Sequence, residues 1–345
     1  MADFLVFIRT HIIPNHKDDN SSLFDGAKIR MILDQAGIPD RIERVQLLAT
    51  GMLNVVTRVT FAGSHPDVVV RVRQFHHSEY GQEFAAERFA YPLIDTKNVN
   101  APQLLFACVD TDECDTIVAV FEYIEGILLD QHFDDGTYSG PRKKKLLGKI
   151  AESLASIHEV KGAGYGTHTS ISHLPSQRRL FFEGLFQSEA VRLRALKIDF
   201  ASDYERVLDR WLDIIDLLPM SFGGPTLVHG DVHGRNLIIS ADEVFFLDWE
   251  ASRFRIAPYD LAQLRYINLR SDPDASEFFI KYYIESSTAP IDVDLLKETI
   301  DICQYFWQCR MGLFFLQFPR FETPYFGSAR EHLREVSSAL RMFSR

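Results

Sequence analysis

Residues 228–250 read VHGDVHGRNLIISADEVFFLDWE. Asp231 follows a His-Gly pair, Asn236 comes five residues later, and an apolar hairpin then ends at Asp248. The spacing predicts that Asp231 and Asn236 lie at the two ends of one tight loop. Asp248 is then expected at the end of the returning strand, so that three groups with oxygen ligands converge. Phosphoryl transfer uses such a set: one carboxylate accepts the proton of an attacking hydroxyl, while an amide oxygen and a second carboxylate hold magnesium.

Each of these residue types also has a structural explanation. An aspartate beside a histidine in a turn is often a hydrogen-bond partner, and asparagine at a turn commonly caps its own backbone. Asp231 alone would therefore be as compatible with structure as with catalysis, but Asn236 and Asp248 in register favour catalysis. We expect His229 to brace the loop. For His233, inside the loop, the sequence leaves solvent-facing and substrate-facing positions open.

Composition bounds the class of protein. The chain has 345 residues, 46% of them hydrophobic and 25% charged, which is typical of a globular protein large enough for two lobes. A net charge of −11 argues against a nucleic-acid partner and mildly favours a cationic one. Residues 1–13 are apolar but lack the pattern of a signal peptide, and no apolar run is long enough to span a membrane. These features predict a cytoplasmic protein, either a monomer or a homodimer.

The four cysteines do not have the spacing of a zinc site. Cys108, Cys114, Cys303 and Cys309 form no Cys-x2-Cys pair, and no pair of histidines completes a ligand set. We expect them to be free and mostly buried thiols.

The predicted elements divide the chain near Gly126. Before it, a helix at 23–37 is followed by strands that alternate with turns, one helix at 79–94 excepted. This pattern predicts a five-stranded antiparallel sheet, because the connections are too short for parallel crossovers. The five predicted strands are 42–50, 54–62, 67–74, 103–109 and 116–123.

After Gly126 the sequence predicts helices, with the hairpin 237–247 as the exception. A basic run at 142–145 is expected to be the solvated part of a helix, because an apolar stripe from Leu146 to Ile157 lies behind it. The remaining predicted helices are 259–270, 273–285, 292–315 and 328–343. We expect the aromatic residues near 305–315 mainly to pack helices.

These segments together resemble the aminoglycoside phosphotransferase family of small-molecule kinases, which includes choline and homoserine kinases. The stretch 228–250 resembles the catalytic loop of that family, and further segments match in the family's order. These are 51–59 (GMLNVVTRV), 68–72 (VVVRV), 121–126 (FEYIEG), 154–158 (LASIH) and 258–262 (PYDLA). The resemblance implies an α+β, two-lobed protein-kinase-like fold. Residues 1–124 would form a small nucleotide-binding lobe with a helical extension at 1–40, and residues 125–345 a larger, mainly helical lobe.

The resemblance also implies a nucleotide site. Arg71 would hold the phosphates of ATP, or of GTP, with Glu87 pairing to orient it; Arg73 and Glu83 are the rival residues. Gly51 and Asn54 would form the nucleotide loop, although a lone glycine is weak evidence and Asn54 is equally compatible with a plain turn. Backbone groups from Glu122 to Ile124 would contact the adenine edge.

In this reading Asp231 is the catalytic base, Asn236 and Asp248 hold Mg²⁺, and Glu250 assists through water. The short interval from Asp248 to Asp260 leaves little room to dock a polypeptide. The expected activity is therefore transfer of a γ-phosphate to a hydroxyl of a small cationic molecule, such as an antibiotic, an amino sugar or an amino alcohol. A role in antibiotic resistance is one form of this activity. The alternatives are a pseudokinase-like nucleotide-binding regulator and a nucleotidyl transferase on the same fold.

Overall fold

The structure is a computed structural model that describes residues 26–50, 54–73, 81–95, 97, 99–108, 117–134, 140–168 and 170–343. The apolar segment 1–13 and the loop residue Gly51 lie outside the described residues. Contacts divide the chain into two compact units. The first unit comprises Met1–Ser78 and Leu105–Tyr123, and the second comprises Glu79–Leu104 and Ile124–Arg345.

The first unit contains the predicted five-stranded sheet, whose strand order is β1-β2-β3-β5-β4. The strands are β1 (Ile42–Thr50), β2 (Asn54–Phe61), β3 (Val68–Arg73), β4 (Leu104–Cys108) and β5 (Val118–Glu122). β2 pairs antiparallel with β1 and β3, and β3 pairs antiparallel with β5. The valine-rich strands bury one face of the sheet against helix α1 (Gly26–Gln35), which contributes Ile29, Ile32 and Leu33.

Two arginines lie in the central strand of this sheet. Arg71 is opposite Val56 on β2 and Ala119 on β5, and it is 6% exposed. Arg73 is also buried, and its Nη1 donates a hydrogen bond to Oδ1 of Asn54 at 3.1 Å. Both side chains are more deeply buried than expected, because the alternation of residues along this strand predicts half-buried positions. Asn54 therefore has a structural partner at the start of β2.

The second unit is mainly helical, as predicted. Its helices are α2 (Gly81–Asp95), α3 (Leu129–Asp134), α4 (Pro141–His158), α5 (Arg178–Ala195), α6 (Ala201–Leu217), α7 (Met220–Gly223), α8 (Pro258–Leu269), α9 (Pro273–Ser286), α10 (Val293–Gln317) and α11 (Ala329–Phe343). The predicted apolar stripe of α4 is buried along its whole length. Lys145 and Arg142 of the basic run pair with Asp242, which confirms that this run is the outer part of a helix.

The second unit contains further strands besides the predicted hairpin. The hairpin itself, β10 (Leu237–Ser240) and β11 (Glu243–Phe246), joins β6 (Ile127–Leu128) in a three-stranded sheet. A second sheet of four short strands, in the order β8-β7-β12-β9, was not predicted. Its members are β7 (Tyr165–Gly166), β8 (Ile171–His173), β9 (Thr226–Val228) and β12 (Arg253–Arg255). Strands of two or three residues are too short for their periodicity to be read from sequence.

The cysteines differ from the prediction in part. Cys303 and Cys309 are free and buried, as expected, and burial raises the pKa of Cys303 to about 12. Cys108 is disulfide-bonded, which corrects the prediction that it is a free thiol.

The described residues include no helix that combines the length and apolar character needed to cross a bilayer.

Most aromatic residues near 305–315 pack between helices, as predicted. Phe306, Trp307 and Phe315 are buried in this way.

The buried histidine of α11 generates a prediction about acid stability. His332 is fully buried, and its Nε2 donates to the carbonyl oxygen of Phe326 at 2.8 Å. Burial lowers the pKa of His332 from 6.5 to about 4. Below pH 6.5 the unfolded chain therefore binds a proton that the folded chain does not bind. The free energy of unfolding consequently falls as the pH falls, until about pH 4.

Between pH 7 and pH 5 the wild-type protein should lose about 2 kcal/mol of unfolding free energy through this group alone. His332→Gln, which does not titrate, should lose that much less over the same interval. Urea unfolding of both proteins at the two pH values measures the difference. Equal losses would show that His332 does not act in this way.

Candidate active site

The loop that carries Asp231 begins where β9 ends, and its second residue must be glycine. Gly230 has φ +85°, a conformation that L side chains rarely adopt. A Cβ atom built on Gly230 would lie 2.3 Å from the carbonyl oxygen of Ala251. The chain that returns after Asp248 thus packs directly on the backbone next to Asp231. Glycine at position 230 is therefore required by space as well as by backbone conformation.

Asp260 on α8 fixes the backbone of this loop through hydrogen bonds. Its Oδ2 accepts from the backbone N–H of His229 at 2.7 Å, and its Oδ1 accepts from that of Gly230 at 2.9 Å. His158, at the end of α4, directs Nε2 to Oδ2 of Asp260 at 3.2 Å and Nδ1 to the hydroxyl of Tyr283 at 2.8 Å. Asp260 is fully buried. A buried carboxylate that receives several donors is well satisfied, and it holds the donors in one geometry.

Two further side chains of α8, which the sequence did not single out, continue this support. Gln263 accepts from the N–H of Val232 at 3.0 Å and donates to the carbonyl of Gly230 at 2.8 Å. Asn268 accepts from the N–H of Gly234 at 2.9 Å. Gln263 is only 2% exposed, so its polar atoms need these partners. The sequence of α8 does not mark it, because the helix also carries Asp260, Arg265 and Asn268.

His229 braces the loop, as predicted. Its Nδ1 accepts from the N–H of Asp231 at 3.3 Å, and its Nε2 lies 2.8 Å from the carbonyl oxygen of Leu247. The ring is therefore neutral with the proton on Nε2. Burial lowers the pKa of His229, which is consistent with this neutral form. The ring joins the start of the loop to the residue that precedes Asp248.

His233 does not face solvent, which was one of the two positions that the sequence left open. It is 4% exposed, and its ring packs against Tyr325 and Phe326. Its Nδ1 accepts from the N–H of Arg235 at 3.2 Å, which leaves Nε2–H directed at Oδ2 of Asp231, 3.4 Å away. His233 therefore acts on Asp231 itself.

Asp231 and Asn236 lie at the two ends of the loop and are bonded to each other. Nδ2 of Asn236 donates to the carbonyl oxygen of Asp231 at 2.9 Å and to its Oδ2 at 3.0 Å. Desolvation acts to raise the pKa of Asp231, but His233, His229 and Asn236 outweigh it and lower the pKa. The carboxylate is therefore ionised at neutral pH. Its side chain is 41% exposed, so a ligand can reach it.

The hairpin of β10 and β11 places the second carboxylate, that of Asp248, next to Asn236. The N–H of Leu247 donates to the carbonyl of Asn236 at 2.8 Å, and Asp248 follows with a left-handed backbone, φ 60° and ψ 65°. Glu87 of α2 accepts from the N–H of Trp249 at 3.2 Å. Glu87, which the sequence assigned to orienting Arg71, thus also anchors the segment after Asp248. Its pairing with Arg71 stays a prediction.

The donor set fits a magnesium ion. Because Asn236 uses its Nδ2 group toward Asp231, its Oδ1 is the atom left for an external ligand. The carboxylate of Asp248 is another hard oxygen ligand. Among the described residues, no cluster of three His, Cys, Asp or Glu side chains could hold a metal unaided. Mg²⁺ needs no such cluster, since it usually takes one or two protein ligands and completes its shell with phosphate and water. Glu250 lies two residues on, in the turn Trp249–Ala251.

The predicted nucleotide residues are distributed over both units. Arg71, Asn54 and Glu122 belong to the first unit, whereas Glu87 and Ile124 belong to the second. Glu122 is exposed at the end of β5. The roles of these residues toward a nucleotide stay predictions, as does that of Gly51.

A family model described as the phosphotransferase enzyme family matches residues 44–290. No protein among curated sequences matches significantly.

Solved structures of similar fold include the ethanolamine kinase of Plasmodium vivax, with a TM-score of 0.63, 15% identity and coverage of 98% of this chain and 93% of that one. Choline kinase from Cryptosporidium parvum Iowa II has a TM-score of 0.59 and 15% identity, covering 92% and 95%. An amicoumacin kinase, solved with AMP-PNP and Ca²⁺, has a TM-score of 0.57 and 13% identity, covering 94% and 96%. These likenesses confirm the predicted α+β, protein-kinase-like fold.

Asp260→Asn tests the support of the catalytic loop. The amide would place an N–H₂ group against N–H donors that now meet a carboxylate, so the folded protein should lose roughly 2–3 kcal/mol of unfolding free energy. Urea unfolding measures the loss. Asp274→Asn, an exposed change in the first turn of α9, is the matched control and should change stability by less than about 0.5 kcal/mol. Equal stability of the two variants would contradict the role of Asp260.

Proposed function

The chain belongs to the phosphotransferase enzyme family, and from this premise we propose that it transfers the γ-phosphate of ATP to a hydroxyl group of a small molecule. The observation that carries the proposal is the pairing of an ionised, accessible Asp231 with Asn236, on a loop held by Asp260. The proposal follows the activity that the family name describes and assigns its chemistry to residues of this chain.

Asp231 is the general base in this proposal. Its carboxylate accepts the hydroxyl proton of the acceptor as the acceptor oxygen forms a bond to the γ-phosphorus. The bond from the γ-phosphorus to the β–γ bridging oxygen breaks, and ADP leaves with that oxygen. His233 and Asn236, which contact Oδ2, orient the carboxylate. Because phosphoryl transfer involves little covalent chemistry by the protein, alignment of the hydroxyl is the main contribution of Asp231.

Magnesium would be held by Asn236 and Asp248, with Glu250 acting through water. When bound, the ion neutralises charge on the phosphate oxygens. Asp248 has a left-handed backbone, which ends the extended course of β11. The contact between Glu87 and the N–H of Trp249 keeps the chain at that turn. Both observations support a dedicated position for Asp248.

The nucleotide assignments are proposals of the same kind. Arg71 would contact the phosphates with Glu87 as its partner, Gly51 and Asn54 would belong to the loop above them, and Glu122 to Ile124 would offer backbone groups to the base. Residues 1–124 would act as the nucleotide lobe and residues 125–345 as the catalytic lobe. ATP is the proposed donor, with GTP as the other purine nucleotide that these groups could accept.

A small acceptor is supported by the segment after Asp248. Between Asp248 and Asp260 the chain makes one turn and the short strand β12, and it then enters α8. This interval is too short to form an extended docking surface for a polypeptide. The negative net charge supports an acceptor that carries an amine, such as an antibiotic, an amino sugar or an amino alcohol. We propose a cytoplasmic enzyme without nucleic-acid or membrane partners, either a monomer or a homodimer.

Asp231→Asn should lower kcat by roughly 10²–10⁴-fold, because the amide keeps the shape of the side chain but cannot take the proton. Acceptor-dependent ADP release with Mg-ATP measures this loss across a panel of hydroxylated amines and antibiotics. Nucleotide affinity, measured by calorimetry, should be unchanged. Asp274→Asn should keep wild-type activity. Undiminished turnover in Asp231→Asn would refute the role of Asp231.

Asp248→Asn should raise the Mg²⁺ concentration needed for half-maximal activity by about tenfold or more. Asparagine tolerates the left-handed conformation of this position, so the backbone should be retained. Asp242→Asn, at the turn of the same hairpin, is the matched control and should leave the Mg²⁺ requirement unchanged. An unchanged requirement in Asp248→Asn would remove Asp248 from the metal site.

A further inference from the structure

A group of three arginines lies next to the catalytic loop and has no role in the proposed reaction. Arg253 and Arg255 alternate on β12, so their side chains leave the same face of the strand. Arg310 belongs to α10. Each of the three guanidinium groups is within electrostatic range of the other two. We refer to these residues as the arginine cluster.

Arg255 is the most deeply buried member. It is 2% exposed, and its guanidinium lies over the ring of Tyr259 at 4.6 Å. Its Nε is buried and has no hydrogen-bond partner among the residues that the structure describes. Burial, together with the nearby charges of Arg253 and Arg310, lowers the pKa of Arg255 to about 9. The side chain thus remains charged at neutral pH in surroundings that penalise its charge.

Arg253 connects the cluster to Asp231. It is opposite Val228 in the pairing of β12 with β9, three residues before Asp231. Its Nε donates to the carbonyl of Ala251 at 2.8 Å, the same carbonyl that packs on Gly230. Asp231 also acts on Arg253 electrostatically. Arg253 therefore lies on the returning segment that packs against the catalytic loop.

The charges of Arg253 and Arg255 are not balanced by ion pairs within the described part of the chain, because no described carboxylate pairs with either of them. Arg310 differs, since it lies 3.4 Å from Oε1 of Glu189, whose Oε2 is 2.6 Å from Arg192. Desolvated charges of one sign are costly unless an opposite charge meets them, and arginine forks suit carboxylate and phosphate.

We propose that the arginine cluster is an anion subsite beside Asp231, and that it receives a carboxylate or phosphate group carried by the acceptor molecule. This inference rests on the proposed function and refines its substrate class. An acceptor that carries both an amine and an acidic group complements both charges. Its amine suits the negative net charge of the protein, and its acidic group suits the local positive charge of the arginine cluster. The other anion that could reach the cluster is the γ-phosphate of the nucleotide.

The acceptor is the better occupant for two reasons. Asn236 and Asp248 with magnesium, and Arg71, already account for the charge of the nucleotide phosphates in the proposed site. Arg255 and Arg310, in contrast, lie against Tyr259 of α8 and Phe306 of α10, in the helical part of the second unit. This helical part follows the catalytic loop in the chain, and we expect the acceptor to bind between the two.

A binding experiment tests the subsite without turnover. Inorganic phosphate is titrated into wild type, Arg253→Gln and Arg255→Met in the presence of a saturating non-hydrolysable ATP analogue with Mg²⁺, and the melting temperature is followed. Phosphate should raise the melting temperature of wild type by a few degrees and that of the two variants by less than half as much. Arg334→Gln, an exposed change on α11, is the matched control and should respond as wild type does.

The same experiment distinguishes the possible occupants. If phosphate stabilises wild type only when the ATP analogue is absent, the cluster binds the γ-phosphate and the proposal is wrong. If phosphate has no effect in either condition, the cluster is not an anion subsite. Without ligand, the two variants should be at least as stable as wild type, because each removes an uncompensated cation. A marked loss of stability in both would assign the cluster to structure alone.

A turnover experiment then tests the substrate class with matched acceptor pairs. Ethanolamine is compared with serine, and glucose with glucuronic acid. The acidic member of a pair should be the better acceptor, and Arg253→Gln should raise its KM by roughly tenfold or more while changing the KM for Mg-ATP by less than about twofold. Activity that ignores the acidic group, or a variant that changes only the KM for ATP, would overturn the inference while leaving the proposed function standing. Absence of turnover with every hydroxyl acceptor would instead count against the proposed function, and the phosphate titration would still decide the subsite.

Discussion

The buried carboxylate of Asp260 is the constraint on which the rest of the site depends. It accepts from two consecutive backbone N–H groups at the start of the catalytic loop and faces the imidazole of His158. Those contacts join α4, α8 and β9 at one point inside the second unit. Since a buried carboxylate is stable only when its oxygens are satisfied, the loop cannot change shape without a large energetic penalty. Asp231 directly follows these two residues. Its backbone is therefore held in the same geometry, while its side chain stays accessible.

The remaining contacts extend this arrangement in both directions along the chain. His229 ties the loop to the carbonyl of Leu247, and the backbone of Leu247 in turn binds Asn236. The two ends of the loop and the end of β11 are therefore held together by the imidazole of His229 and by main-chain groups. Side chains that carry the proposed chemistry are then positioned by structure that does not itself react.

Much of this architecture could be predicted from the sequence. Alternating valine-rich segments specified the five-stranded sheet, and helical periodicity specified α8 to α11 to within a few residues. Asp231 and Asn236 were predicted because their spacing implies a tight loop. Gln263 and Asn268 could not be singled out, because their partners are backbone N–H groups more than thirty residues away. The burial of His233 depends on Tyr325 and Phe326, and the surplus charge near Arg255 depends on α10. Such long-range neighbours have no local signature. The strands of the four-stranded sheet were missed for a different reason, since they are too short for periodicity.

The central claim is that Asp231 and its partners transfer a phosphoryl group to a small hydroxyl acceptor. Mass spectrometry of the acceptor after incubation with Mg-ATP and the wild-type protein tests it most directly. We expect the acceptor to gain one phosphoryl group and ADP to appear in equal amount. An acceptor that gains a nucleoside monophosphate, or that remains unmodified across all hydroxyl classes while Mg-ATP binds to the protein, would contradict it.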